Sequence, residues 1–190
     1  MKKSLSLATI MAAAMVVTGC ATNITPTRKT NPAPAAEFSA FKAYKLESLT
    51  ISDEYAGSGA NKKAAKKIQE NLQDRIAPLV ANWNAESDDD DPRGTLVIQP
   101  HVHSIKFIGG AARFWVGSMA GSSAVIMEAE FVEEETGEKI NSAQFYQHAA
   151  AVGGTYSMGA TDNMMLHRIV MKLQEYMLNN YSEAVGGPVQ

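Results

Sequence analysis

Residues 124–149, AVIMEAEFVEEETGEKINSAQFYQHA, contain the pattern that decides the fold. Apolar and acidic side chains alternate over 124–133, with Glu128 and Glu130 on one face and Val125, Met127, Ala129 and Phe131 on the other. This two-residue period is typical of a strand with one buried face. Residues 135–138 (ETGE) then turn the chain, and residues 139–149 are predicted to return as the partner strand.

The segments on either side of this hairpin alternate between strand and helix patterns. The sequence predicts a first strand within 38–52, a helix over 61–83, a second strand over 95–108 and a final helix over about 162–181. Pro78 is expected to kink or end the first helix, and Pro100 to place its strand at a sheet edge or a bulge. The fold class is therefore α+β in the order β-α-β-β-β-α, with an antiparallel sheet and two helices on one face.

The first twenty residues have the three parts of a bacterial lipoprotein signal. Lys2 and Lys3 precede an uncharged stretch at 5–17, which is too short to span a bilayer. Residues 17–20 (VTGC) resemble the lipobox, which implies cleavage between Gly19 and Cys20 and attachment of lipid to the Cys20 thiol. Cys20 is the single cysteine of the chain, so lipidation also removes a free thiol.

The predicted organisation has four parts. Residues 1–19 form the signal peptide, residues 20–37 a lipidated cysteine with a Pro-rich tether, residues 38–183 the α+β domain and residues 184–190 a flexible tail. Fully extended, a tether over 21–36 would reach roughly 50 Å. Ala21, where an Asp would signal retention, favours the outer membrane over the inner membrane, with the domain in the periplasm.

The mature chain of 171 residues has a net charge of −5. This charge argues against nucleic acid as a partner and against strong attraction to an anionic lipid surface. Four lysines at positions 62, 63, 66 and 67 are the exception, and they are interpreted either as a solvated helix face or as a site for an anion or a phospholipid headgroup. The acidic run Asp88–Asp91 is interpreted as a solvated loop, since it lacks the spacing of a calcium loop.

The most unusual segment is 109–123, GGAARFWVGSMAGSS. It is interpreted as a loop and bulged strand with its rings in the core, as an interface with another protein, or as a bilayer contact. For the interface, the predicted contact residues are Arg113, Phe114, Trp115, Gly117 and Gly121. The chain has no phosphate loop, and Ser118 is not central in GSMAG, as a nucleophile elbow requires.

His101 and His103 share a strand face at a spacing that metal ligands use, and His148 is a conceivable third ligand. Zinc needs at least three protein ligands, so partly exposed strand histidines are the simpler interpretation. The sequence predicts no cofactor and no resident metal.

Four stretches together resemble a family of uncharacterised proteobacterial lipoproteins, the one with domain of unknown function 4410. They are LVIQPHVHSIKF (96–107), ARFWVGSMAGSS (112–123), AVIMEAEFVEE (124–134) and ETGEKI (135–140). The resemblance implies a small periplasmic α+β domain on a lipid anchor and assigns no catalytic residue. The family usually has an Asp before the Thr-Gly pair, where this chain has Glu133 to Glu135. A more distant similarity is to the periplasmic domains of lipoproteins that assemble secretion channels.

These observations favour a non-enzymatic lipoprotein that binds another envelope component. One alternative is a metal- or small-ligand-binding enzyme that uses His101 and His103. The other is a structural lipoprotein that associates with itself.

Overall fold

The structure, a computed structural model, describes residues 24–87, 93–108, 122–149 and 160–190. The helices are α1 (Asp53–Ala56), α2 (Gly59–Glu86) and α3 (Ala160–Asn179), with a short 3-10 helix at Phe38–Ala40. The strands are β1 (Thr30–Asn31), β2 (Phe41–Leu46), β3 (Thr50–Ile51), β4 (Arg93–Lys106), β5 (Ser123–Glu133), β6 (Lys139–Ala149) and β7 (Gly187–Pro188).

The hairpin predicted from residues 124–149 is confirmed. Strands β5 and β6 pair antiparallel, and the four apolar residues at odd positions of β5 are buried in the main core. Gly137 in the turn has a φ of +70°, a conformation that favours glycine over any residue with a Cβ atom. The alternation thus sets which face of the sheet the helices cover.

The α+β class and the order β-α-β-β-β-α are also confirmed, but the main sheet is mixed rather than antiparallel throughout. Strands β2 and β3 both pair in parallel with β4, and β4, β5 and β6 follow as an antiparallel meander. The physical reason is that α2 returns the chain to the end of the sheet where β2 began, so β4 must run in the same direction as β2.

Both helices pack on one face of the sheet. In α2 the buried apolar residues lie along one side of the helix, with Leu79 only partly buried: Ala64, Ile68, Leu72, Ile76, Val80 and Trp83. Pro78 neither ends nor shortens this helix, which continues to Glu86. Pro78 is itself exposed, so the carbonyl that it leaves unpaired faces solvent while the buried side chains hold the last turns in place.

Pro100 lies on a central strand, which corrects the prediction of an edge position. The carbonyls of Ile98 and Val102 accept hydrogen bonds from the N–H groups of Glu47 and Ser52 on the β2–β3 side. Pro100 lies midway between Ile98 and Val102 in the sequence, so its ring nitrogen faces the same side of β4 as their carbonyls. At this position β2 has ended and β3 has not yet begun. The missing donor therefore costs no ladder hydrogen bond.

The segment from residue 24 to residue 37 lies along the outer edge of β6. The side chain of Asn31, 4% exposed, acts as a short piece of strand: its Nδ2 donates to the carbonyl of Gln144 (2.9 Å) and its Oδ1 accepts from the N–H of the same residue (2.7 Å). On either side, Arg28 Nη2 donates to the carbonyl of Ser142 (2.8 Å) and Ala35 N–H to the carbonyl of Ile140 (2.9 Å).

The C-terminal residues complete the same edge. Strand β7 pairs antiparallel with β1, and the carbonyl of the buried Val189 accepts from the N–H of Tyr146 (2.9 Å). The Oδ1 of Asn180 accepts from the N–H groups of Val185 (2.9 Å) and Gly186 (2.7 Å), which fixes the turn into β7. We call residues 24–37 and 185–190 together the terminal clasp.

The terminal clasp corrects two sequence predictions. Residues 24–37, expected to belong to a free tether, and residues 184–190, expected to be a flexible tail, both pack on the domain. The reason is that β6 would otherwise present a row of unpaired backbone groups. The side chains of Asn31 and Arg28 and the backbone of Ala35 and Val189 satisfy these groups, and such contacts leave no apolar period in the sequence.

Candidate functional site

Ile24, where the structure begins to describe the chain, packs on one end of the sheet. It is 8% exposed and contacts Ala124, Ile126 and Tyr146 on the face opposite the helices. Burial raises the pKa of the Tyr146 phenol above its ordinary value, so this ring stays neutral under the packed isoleucine. Ile24 is thereby fixed at this end of the sheet.

Four elements meet at this end of the sheet, which we call the proximal end. The last residue of β4, Lys106, is in register with Ala124 near the start of β5, and Ser123 is in register with Ala149 at the end of β6. The first turn of α2 is held there by Asn61, whose Nδ2 donates to the carbonyl of Ile105 (3.3 Å) and whose Oδ1 accepts from the N–H of Phe107 (3.2 Å).

The predicted lipidation and contact residues lie outside the described ranges. This holds for the cleavage pair Gly19 and Cys20, and for Arg113, Phe114, Trp115, Gly117 and Gly121. The described residues next to them, Ile24 on one side and Ile108 and Ser122 on the other, all belong to the proximal end. The predictions for those residues stay predictions.

His101 bridges two strands. Its Nδ1 is 2.7 Å from Thr50 Oγ1 and its Nε2 is 2.9 Å from Ser52 Oγ, so both ring nitrogens are engaged by hydroxyls of residues at β3. A serine nucleophile needs a histidine that is oriented by a third group, commonly a carboxylate, and a nearby oxyanion hole. Here the third group is a threonine hydroxyl, and the geometry is that of a strand-to-strand connection.

His103 is exposed at a bulge, because the pairing of β4 with β5 shifts between Val102 and Ser104. His148 is in register with Ala124, whereas His101 is in register with Glu128, four residues farther along β5. Among residues 24–87, 93–108, 122–149 and 160–190, no three histidine, cysteine, aspartate or glutamate side chains come together as a metal-binding group. The described part of the chain therefore gives the proposed histidine metal site no third ligand.

His167 on α3 faces α2 across a polar groove. Its Nε2 accepts a hydrogen bond from Arg75 Nη2 (3.0 Å), because an arginine is always a donor. Burial, followed by the positive charges of Arg75 and Lys67, lowers the pKa of His167 below its ordinary value. His167 is therefore held as a neutral acceptor that links the two helices.

The Thr-Gly turn lies at the opposite, distal end of β5. Glu133 is 6% exposed, and it accepts hydrogen bonds from Thr136 Oγ1 (2.6 Å) and the N–H of Gly94 (3.1 Å). These two donors, with a smaller contribution from Arg93, hold the pKa of Glu133 below its usual range. Glu133 thus locks the turn to β4, which is a structural role.

An apolar stripe is exposed on α3. Met164, Met171 and Leu178 repeat every seven residues and are 44–50% exposed, with the exposed residues Arg168 and Glu175 between them. A parallel two-fold pairing of this face would place each of these charges against its own copy, which is unfavourable.

Sequence reasoning missed the terminal clasp and the proximal end. The structure shows that two of the buried asparagines, Asn31 and Asn180, hold the clasp, since buried amides must find partners. No sequence period reveals those partners, because they are backbone groups of β6 and of the C-terminal turn.

Among the described helices, none is both long and apolar enough to cross a bilayer. No family model matches the chain, and no curated protein matches it. The resemblance to the lipoprotein family with domain 4410 therefore stays a prediction.

Several solved structures are similar to this chain in fold. PelC from Paraburkholderia phytofirmans, solved as a dodecamer, is 13% identical with a TM-score of 0.38, and the match covers 77% of this chain and 95% of PelC. A candidate lipoprotein from Caulobacter crescentus is 12% identical with a TM-score of 0.34, covering 77% and 91%. A Xanthomonas campestris protein with domain of unknown function 330 is 10% identical with a TM-score of 0.41, covering 83% and 95%. At these values the likeness assigns neither a family nor an activity.

Proposed function

We propose that this chain is a lipid-anchored envelope lipoprotein whose domain acts as a non-enzymatic binding or assembly module facing the periplasm. The observation that carries the proposal is the packing of Ile24 at the proximal end. It brings the predicted lipid attachment point, Cys20, within four residues of the folded domain. In the part of the chain that the structure describes, His101 is engaged by two hydroxyl groups at β3 and His167 by Arg75.

The packing of Ile24 shortens the connection to the membrane. Four residues span at most about 14 Å when extended, compared with roughly 50 Å for the tether that composition suggests. A domain on such a short connection has its proximal end next to the headgroups. We propose that the segment with Arg113, Phe114, Trp115, Gly117 and Gly121, which connects described residues of this end, contacts the partner there.

Intact-mass analysis of the protein extracted from its own membranes tests the anchor. We expect the loss of residues 1–19 and the added mass of two or three acyl chains, and we expect a Cys20→Ser variant to keep the signal peptide and carry no acyl mass. Separation of inner and outer membranes by density then tests the proposed outer-membrane location. A chain that begins at residue 20 without acyl mass would refute the anchor.

In-cell cross-linking followed by gentle detergent extraction tests the binding role. We expect a larger assembly that contains a second envelope protein, and we expect Trp115→Ala and Gly117→Leu to weaken it while the variants still fold. A monomer under all cross-linking conditions would refute the binding role. An assembly of this chain alone would instead support the self-associating alternative, for which the charges on α3 disfavour a simple parallel two-fold pairing of that face.

A further inference from the structure

Five lysines gather at the proximal end. Lys62, Lys63, Lys66 and Lys67 are exposed in the first turns of α2, and Lys106 ends β4 beside Ala124, which contacts Ile24. Cα–Cβ bonds tilt toward the N-terminus of a helix, so the four long side chains on α2 lean toward the proximal end. We call these five residues the lysine rim.

The local charge of this end is positive although the mature chain is acidic. Among the described residues, the exposed carboxylates beside the rim are Asp53, Glu54 and Glu70, of which Glu70 forms an ion pair with a rim lysine, Lys67 (3.0 Å). Much of the negative charge lies elsewhere: Glu134, Glu135 and Glu138 are in the turn at the far end of β5, a strand of 11 residues.

The distance between the two ends decides which charges a surface would sense. Eleven strand residues span roughly 36 Å, whereas the Debye length is about 8 Å at physiological ionic strength. A membrane against the proximal end is therefore screened from the acidic turn and interacts with the lysine rim. The net charge of −5 therefore does not describe the charge that a membrane at the proximal end would meet.

We propose that the lysine rim binds the phosphate groups of anionic phospholipids in the membrane that holds the anchor, so that the domain stands on its proximal end. The proposal rests on the proposed lipidation of Cys20, because a connection of four residues brings the rim to the headgroups. The sheet face opposite the helices is the other surface within reach. It presents Glu128 and Glu130 next to His101, and since Glu130 forms an ion pair with Lys139 (2.6 Å), the carboxylate of Glu128 is the charge that disfavours the same lipids there.

Vesicle binding by the unlipidated mature chain tests the rim separately from the anchor. The chain from residue 20 to residue 190 with Cys20→Ser retains every described residue. It is sedimented with phosphatidylcholine vesicles that contain about 30% phosphatidylglycerol or none. We expect binding to the anionic vesicles only, with loss of binding at about 0.5 M salt.

Two matched variants locate the contact. Each lysine near an anionic surface contributes about a fivefold gain in partitioning, so Lys62→Gln with Lys63→Gln should lower binding about 30-fold. Lys42→Gln with Lys139→Gln removes the same charge at the distal end and should leave binding unchanged. Circular dichroism of each variant checks that the fold is retained.

Three results would overturn the proposal: no binding to anionic vesicles, equal losses in the two double variants, or displacement by sn-glycerol 3-phosphate at the phosphate concentration of the vesicles. The last result would mean a discrete anion site rather than a membrane contact. None of the three affects the intact mass of the native protein, so a failure of the rim is distinguishable from a failure of the anchor.

Discussion

Asn31 is the residue whose loss should most directly detach the N-terminal part of the terminal clasp. Its side chain makes two hydrogen bonds, at 2.9 and 2.7 Å, to the backbone of Gln144, and it is 4% exposed. Asn31→Ala removes the side-chain partner of the Gln144 carbonyl and that of the Gln144 N–H, and both groups are buried. Leaving such groups unsatisfied costs about 1–3 kcal/mol each, and water that enters at the sheet edge recovers part of this.

We therefore expect the docking of the segment to weaken by about 2 kcal/mol, which corresponds to a roughly 30-fold larger undocked population. Trypsin reports on this population, because Arg28 and Lys29 lie within the segment. When undocking is fast relative to cleavage, the cleavage rate follows the undocked fraction. Cleavage after these two residues in the unlipidated mature chain should accelerate about 30-fold in the variant.

Thr30→Ala is the matched control for this experiment. Thr30 is the exposed neighbour in β1, so its substitution leaves the contacts with Gln144 in place. It should be cut at Arg28 and Lys29 as slowly as the wild-type chain. If Asn31→Ala is cut no faster than Thr30→Ala, the side-chain contacts do not hold the segment, and the short connection between membrane and domain has no support.

Two further predictions concern the helices and the C-terminal turn. Because the folded-state pKa of His167 is lowered, the unfolded chain binds more protons between that pKa and about 6.5, so stability should fall as the pH drops through this window. Melting temperatures of wild type and His167→Gln should be similar at neutral pH and diverge in acid, where the wild type becomes the less stable of the two, because glutamine still accepts from Arg75 and does not titrate; equal slopes would contradict this. Gly186→Ala should destabilise by about 2 kcal/mol or more, because φ is +78° and a Cβ would lie 2.5 Å from the carbonyl oxygen of Asn31. Gly57→Ala, which has open space and an ordinary φ, should be close to neutral in the same urea titration.

The parts of the fold that the sequence predicts are those in which one face of an element is apolar. The alternation of Val125 to Phe131 and the stripe from Ala64 to Trp83 both record burial, and both are confirmed. Strand direction leaves no such record. The parallel pairing of β2 with β4 follows from where α2 returns the chain, so a periodic pattern could not distinguish a mixed sheet from an antiparallel one.

The candidate site was less predictable than the fold for a related reason. Proline-rich composition at 21–36 is typical of an extended tether, and Thr30–Asn31 within it is a strand. What composition cannot show is that an extended chain pairs with a sheet edge as readily as it stays in solvent. The decisive contacts are made by single polar side chains, Asn31 and Arg28, with backbone groups of β6. An asparagine and an arginine occur as readily in a solvated tether as in a segment docked on a sheet edge.

The terminal clasp has two consequences that arise from the same contacts. It occupies outward backbone groups of β6 at Ile140, Ser142, Gln144 and Tyr146, and so protects an edge that would otherwise pair with another chain. It also holds Ile24 at the proximal end. If the proposed anchor is correct, undocking would therefore lengthen the connection to the membrane and expose a strand edge in one step. A domain whose clasp is docked should then lie near the membrane and should not pair with another copy through β6. A domain whose clasp is undocked should reach farther from the membrane and should be the form that pairs through this strand.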